Sequence, residues 1–194
     1  LGGATTEGGS LYAWFQDTLR LPSAEQLEAE LAQLPPAAHG LALLPFIAGE
    51  RAPGWHDHAR ASLHNFTLHT RPVDIVRAGL ESVAYRFALI YNLITAHLPI
   101  DASRQIVASG GLLNSPAWLQ IFADVLGQPV LTLAEKEATS RGVALLALES
   151  LGVINNVADL PPAIGRTYQP NADHHQIYRQ AIDTQLEYYR RLIG

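Results

Sequence analysis

The chain has 194 residues, 48% hydrophobic and 16% charged, with a formal net charge of -5, a composition that excludes disorder and is ample for a buried core. Its 13 Lys and Arg residues are scattered, which argues against a nucleic-acid partner, and no apolar run reaches the ~18 residues a membrane-crossing helix needs, so the chain reads as soluble. With no cysteine, disulfides, thiolate metal ligation and thiol catalysis are ruled out.

The opening, Leu1 to Ser10, is glycine-rich and predicts a loop. Ser10 is placed to cap a helix in which Leu11, Trp14, Phe15, Thr18 and Leu19 recur at helical spacing until Pro22. Ser23 with Gln26 three residues later, then Leu27, Leu31 and Leu34 on one face, predict a second helix that Pro35-Pro36 stops. Leu41 to Ile47 reads as a short extended segment, with Pro45 arguing against a central strand position. An irregular stretch follows from Ala48 to Arg71. Past Pro72, an apolar stripe from Ile75 through Val76, Leu80, Val83, Phe87 and Ile90 to Ile94 predicts a helix of six or seven turns, the central packing element.

Two strand-turn-helix units come next. Gln105 to Ala108 reads as a buried strand, Gly110-Gly111 as a tight turn, and Ser115 to Leu126 as a helix with Pro116 near its first position. Val130 to Leu133 is a second strand, followed by a helix from Thr139 to Leu151 ending at Gly152. From Asn171 to Leu192, a terminal amphipathic helix places Ile177, Ala181, Leu186, Tyr189 and Leu192 on one face. With no internal repeat, heptad or linker, the simplest reading is one layered α/β domain over residues 1–194. The chain opens without an initiating methionine, which predicts further sequence upstream.

The chemistry centres on Ala108-Ser109-Gly110-Gly111-Leu112-Leu113-Asn114-Ser115-Pro116. Glycines at the carboxyl end of a strand let a ligand approach the backbone with no Cβ in the way, in the crevice where open α/β sheets bind ligands. Asn114 is then placed to read the edge of a base or a ribose. The alternative is that Gly110-Gly111 is only the turn between strand and helix.

The stretch from Ser109 to Val130, with Gly110-Gly111, Asn114-Ser115, Trp118-Leu119-Gln120, Ala123-Asp124-Val125-Leu126-Gly127 and Pro129-Val130, resembles the strand-turn-helix beside the adenine of ATP in the FGGY carbohydrate kinases. Glu137 to Ala147 occupies the place of the helix that follows it in that family. Leu44-Pro45-Phe46-Ile47-Ala48-Gly49-Glu50-Arg51-Ala52-Pro53-Gly54-Trp55 and Leu63 to Glu81 resemble two further blocks. Departures are Asn65, where glycine is usual and a left-handed backbone is tolerated, and Gly79, which weakens a helix by about 1 kcal/mol. Gly8-Gly9-Ser10-Leu11-Tyr12-Ala13 resembles a helix entry whose glycine lies near the nucleotide phosphates.

The resemblance covers Leu1 to about Leu151. It implies an actin-like, ribonuclease H-like ATPase domain lacking its first strands, and transfer of the ATP γ-phosphoryl with Mg²⁺ to a sugar or sugar-acid hydroxyl, of the gluconate or xylulose class. On the same basis Gly110, Gly111 and Asn114 lie at the adenine, Gly9 lies at the phosphates, and Ala13 stands where some members carry a base-contacting glutamine. The family's catalytic aspartate belongs to an upstream domain that binds the sugar, so no catalytic residue is assigned here. A cytoplasmic location and a homodimer are compatible with this reading.

Two other classes stay open: a non-catalytic nucleotide-binding or interaction module, being a fragment or degenerate kinase half, and an unrelated ATPase of actin-like fold, against which the Gly-Glu-Arg-Ala-Pro-Gly-Trp block speaks. His56-Asp57-His58, with His64 and His69, has the donor types of a metal site but reads better as a polar surface loop. Glu50, Arg51 and Glu81 are expected to pair and pin that loop to the long helix, and Arg60 is read the same way. Trp14, Trp55 and Trp118 are expected to pack in the core rather than form a stacking platform. His174-His175 reads as a solvent-exposed pair without a role.

Overall fold

A computed structural model describes residues 2–98, 104–134 and 137–194; Leu1, the first residue of the expected opening loop, lies outside them. Helix α3 (Pro72–Thr95) is the axle of the molecule, with Pro72 in its first turn and buried positions running from Val73 to Ile90. Its start is fixed by Asp74, whose carboxylate accepts from the Arg71 backbone N–H at 2.9 Å and from the Arg71 guanidinium at 2.8 Å. Helix α1 (Gly9–Thr18) buries Leu11 and Phe15, and α2 (Ala24–Gln33) buries Leu27 and Leu31. Both lie against α3.

The expected cap of α2 is present, Ser23 accepting from the Gln26 N–H. That of α1 is not. Gly8 holds the cap position at φ 142°, and Ser10, already inside the helix, donates its hydroxyl back to the Thr6 carbonyl at 3.0 Å. Gly79, read as a residue that weakens the helix, also has a packing role. A Cβ there would collide with the Phe15 ring, so the glycine is the notch that lets α1 sit on α3.

Strand β1 (Ala42–Leu44) ends before Pro45 and pairs antiparallel with β2 (Ser62–His64), inside the stretch expected to be irregular. The second sheet has the order β3-β4-β5. β3 (Ile106–Ala108) runs parallel to β4 (Val130–Leu133), and β5 (Ile164–Tyr168) pairs antiparallel on its other side. β3 is less buried than its apolar sequence predicts, since Val107 retains 43% exposure. Between the two parallel strands, α4 (Pro116–Leu126) follows a short 3-10 turn over Gly110–Asn114 and ends at Gly127, which takes the left-handed conformation at φ 62°. Asn65 adopts φ 65°, the conformation anticipated for it.

Helix α5 (Ala138–Ser150) packs little and buries no side chain, whereas α6 (Ala172–Leu192) returns across α4 and β1. The buried face of α6 is rotated from the expected stripe. Tyr178 and Gln185 are its buried residues, while Ile177 and Leu192 are exposed. Polar contacts set this rotation: Gln185 donates to the Leu43 carbonyl at 2.9 Å, and Tyr178 reaches a buried ion pair on α3. His174 and His175 are not a free pair either, because their Nδ1 atoms lie 2.9 Å from the Asp124 carboxylate and the Asp124 carbonyl respectively.

The expected pairing of Glu50, Arg51 and Glu81 resolves into two separate buried clusters. Glu81 takes the Arg77 Nε–H at 2.6 Å on the same helix, and Glu50 pairs with Arg86, while Arg51 is exposed. The guanidinium of Arg86 also lies over the Phe46 and Tyr189 rings. Glu50 accepts the Tyr189 hydroxyl at 2.6 Å as well. Burial first, and then that bond, push the Tyr189 phenol up to about 12. The loop from Glu50 to Asp57 is thus pinned to α3 through Arg86 rather than through Glu81.

Of the tryptophans, Trp118 is buried and donates its indole N–H to the Leu80 carbonyl at 3.0 Å. Trp14 and Trp55, expected in the core, retain 47% and 65% exposure. Trp14 lies on the outer side of α1, which turns Leu11 and Phe15 inward instead.

Candidate nucleotide-binding site

Residues 2–9 are brought toward the end of β3 by a few specific ties. The Ala52 N–H donates to the Ala4 carbonyl at 2.9 Å, and the Thr6 hydroxyl sits 2.7 Å from the Gly49 carbonyl. Gly8 and Gly9 then open α1 at the mouth of a cavity of about 750 Å³. Gly9, Gly111 and Asn114, from segments more than a hundred residues apart in sequence, all line this cavity. Ala13 is exposed on α1 and is not among its lining residues; α1 presents Gly9, Tyr12 and Gln16 instead, one face of the helix. Gly110 faces a neighbouring cavity of about 690 Å³ on the far side of the glycine turn, which Arg166 and Thr139 also line.

What the glycines are for can be read from their surroundings. Gly110 has φ 73°, so the backbone requires it. Gly9 and Gly111 adopt no left-handed conformation, and a Cβ added to either would meet nothing within 4 Å. Neither backbone strain nor packing therefore demands glycine at these two positions. Both border the same cavity, and leave its walls free of side chains where a ligand can lie directly on the backbone.

The two helix N-termini at the cavity differ in electrostatic state. That of α4 is already filled: Glu28 of α2 accepts from the Ser115 hydroxyl at 2.8 Å and from the Ala117 N–H at 2.6 Å, and Ser115 itself caps the Trp118 N–H. That of α1 carries no side-chain cap. Its unpaired N–H groups and the positive end of its dipole suit an anion such as a phosphate. Beside it, Glu7 is buried with Oε1 2.6 Å from the Thr6 hydroxyl. Burial outweighs that bond and the nearby Arg86 charge, and holds the Glu7 carboxyl above its ordinary value.

Tyr12, Gln16 and Glu28 were not singled out from the sequence. Helical spacing from Gly9 points to Tyr12 and Gln16, three and seven residues on. Nothing local reveals Glu28, because its partners lie 87 and 89 residues away. Of the histidine group expected as a surface loop, Asp57, His58 and His69 are exposed and His56 and His64 half-buried; the His58 Nδ1 and Asp57 Oδ1 atoms are 3.7 Å apart. Among the described residues no group of three or more His, Cys, Asp or Glu side chains is placed to hold a metal ion.

The arrangement defines an α/β domain with a cavity, partly walled by backbone, at the carboxyl end of β3. The family model "FGGY family of carbohydrate kinases, C-terminal domain" matches residues 1–151, and the chain belongs to that family. Its mixed α/β architecture is the actin-like, ribonuclease H-like ATPase fold of those C-terminal domains. The gluconokinase of Bacillus subtilis (strain 168) is 28% identical over 192 residues, covering 92% of this chain and 37% of its own length. A glycerol kinase of Alkalilimnicola ehrlichii is 32% identical over 195 residues, covering 100% of this chain and 39% of its own. Among solved structures, gluconate kinase from Lactobacillus acidophilus superposes with a TM-score of 0.83 at 26% identity, over 98% of this chain and 39% of that one. Xylulose kinase from Rhodospirillum rubrum gives 0.82 at 27% identity, again over 98% and 39%. The chain therefore spans well under half the length of the relatives it matches. Among the described residues, no helix is long and apolar enough to cross a membrane.

Proposed function

We propose that this domain binds ATP as the nucleotide half of a carbohydrate kinase, in which the γ-phosphoryl group passes to a hydroxyl of a sugar or sugar acid of the gluconate or xylulose class. The observation that carries this reading is the pair of glycines, Gly9 and Gly111, which face one cavity and are required by neither packing nor backbone conformation. Carbohydrate kinases of this family use ATP. In the proposed pose the adenine lies against Gly111 with Asn114 at its edge, Gly110 shapes the turn from the neighbouring cavity, and the phosphates lie at the uncapped start of α1, beside Gly9. Ala13, where some members carry a base-contacting glutamine, contributes no polar group.

Mg²⁺ would neutralise the phosphates and polarise the γ-phosphoryl group. The domain contributes position and charge complementarity: backbone N–H groups at Gly9 meet the phosphates, and the apolar walls formed by Ile106, Leu112 and Trp118 exclude water from the base. The carboxylate that orients the attacking hydroxyl, and most sugar contacts, are assigned to the part of the relatives that this chain does not span. Domain organisation as one unit over residues 1–194, and a cytoplasmic location, accompany this reading. Its test is calorimetric titration of the chain with Mg-ATP. Saturable binding in the micromolar to millimolar range is expected, and a folded chain that releases no heat of binding overturns it.

A further inference from the structure

Two acidic side chains, Glu7 just before α1 and Glu28 of α2, line the nucleotide cavity, and Glu28 is the one held from two directions by donors of α4 and its cap. Glu28 projects from α2 into the cavity, and each of its carboxylate oxygens is held by a different donor of α4, Oε2 by the Ser115 hydroxyl and Oε1 by the Ala117 N–H. A carboxylate so held cannot rotate away, and each oxygen keeps a further lone pair. Glu28 also lies close to Tyr12: burial, followed by the Glu28 charge, holds the Tyr12 phenol above its ordinary value. The carboxylate thus touches the residue that follows Asn114 on one side and neighbours Tyr12, one helical turn beyond Gly9, on the other.

These two neighbours locate Glu28 along a nucleotide that runs from Gly111 to Gly9. It lies between the base end and the phosphate end, at the level of the sugar. A ribose offers there two vicinal hydroxyl donors, and an ionised carboxylate, which only accepts, is the matching group. The wall also carries apolar Trp118, Leu112 and Ile106 and the polar side chains of Tyr12, Gln16, Ser109 and Asn114, but among the residues of α2 and α4 that line it Glu28 is the one ionisable acceptor.

We infer that Glu28 is a specificity-determining residue that accepts a ribose hydroxyl of the bound nucleotide and so selects ribonucleotides over their deoxy counterparts. The inference rests on the nucleotide reading above. Glu28 is half-buried before the ligand arrives; a bound nucleotide that covers it without offering a donor leaves the acceptor unpaired, so such a ligand is rejected.

The test measures affinities of the chain for Mg-ATP, Mg-2′-dATP and Mg-3′-dATP in three forms: wild type, Glu28→Ala and Glu28→Gln, each with its melting temperature. The wild type is expected to bind ATP about tenfold or more tightly than at least one deoxy analogue, the discrimination expected of a hydrogen bond to a charged group. Glu28→Ala is expected to bring the analogues within about twofold of ATP, the scale of a neutral, solvent-replaceable contact. Glu28→Gln keeps the side-chain length and one acceptor oxygen, replacing the other by an amide donor and removing the charge, so it remains informative if the alanine variant fails to fold; it is expected to narrow the preference several-fold. Equal affinities in the wild type, or a preference that survives in every folded variant, overturn the role of Glu28 while leaving nucleotide binding intact. Failure of the folded wild type to bind ATP at all removes the nucleotide reading and this inference with it.

Discussion

The Tyr178 hydroxyl donates to Glu81 Oε1 at 2.9 Å across 97 residues of sequence, and accepts the Arg77 Nη2–H at 2.7 Å. Glu81 is fully buried, and its remaining capacity is taken up by Tyr85, His39 and the Ala37 N–H. Because His39 Nδ1 accepts the Leu41 N–H at 2.9 Å, its proton sits on Nε2, which donates to Glu81. One carboxylate therefore ties together α3, the segment before β1 and α6.

This cluster makes stability depend on acid. Burial alone pushes the Glu81 carboxyl up, but the His39 bond and the Arg77 charge outweigh it, and the net direction is down. A carboxylate depressed in the folded state contributes stability that is fully present above its unfolded value, about 4.3, and is lost as pH falls through the folded value. Glu7 has the opposite sign: held above its ordinary value, it opposes folding at neutral pH, and that cost lessens as pH falls. Denaturant titrations between pH 7 and pH 3 are expected to show the wild type losing stability below about pH 4.3, with Glu81→Gln less stable throughout and flatter in that window. At neutral pH, breaking this buried pair is expected to cost about 3–5 kcal/mol.

The notch at Gly79 gives a second prediction. Alanine there gains about 1 kcal/mol of helix propensity but drives a methyl group into the Phe15 ring. Overpacking of this kind costs about 1–3 kcal/mol, so Gly79→Ala is expected to be destabilising overall in chemical denaturation. Combined with Phe15→Leu the effect of Gly79→Ala is expected to shrink, and strict additivity of the two changes would contradict the contact.

Asp124 supports a third. Its Oδ1 accepts from the Asn171 N–H and the Gln120 amide, both at 2.8 Å, and its Oδ2 faces His174. Asp124→Ala leaves the start of α6 without this anchor, a loss of about 1–3 kcal/mol. Amide exchange is expected to accelerate over residues 171–178 while α3 keeps its protection.

Much of this was legible in the sequence, for physical reasons. The helices announced themselves by period, by Ser23, and by proline at the starts of α3 and α4. The glycine turn reads in sequence as the joint of a strand and a helix, and it is that joint in the fold. β5 carried no such signal, because four of its five residues are exposed and its sequence does not alternate. Sequence alone does not separate Trp14 from Phe15, because the spacing of either from Leu11 fits a helix face; only the position of α3 chooses between them. Arg51 stood next to Glu50 in sequence, yet the partner of Glu50 is Arg86, 36 residues on, set by the packing of the loop on α3. The cavity glycines were visible as residues, but that Gly9 and Gly111 share one cavity is a tertiary fact. Glu28 is wholly of that kind.

The most direct test of the nucleotide assignment compares Mg-ATP binding by calorimetry in three glycine variants that the fold should tolerate alike. A Cβ added at Gly9, Gly111 or Gly142 meets nothing within 4 Å, but of these three positions only the first two border the cavity. The account predicts that Gly9→Val and Gly111→Val abolish binding with melting temperatures close to wild type, while Gly142→Val binds as the wild type does. Unchanged affinity in a folded Gly111→Val variant would contradict it.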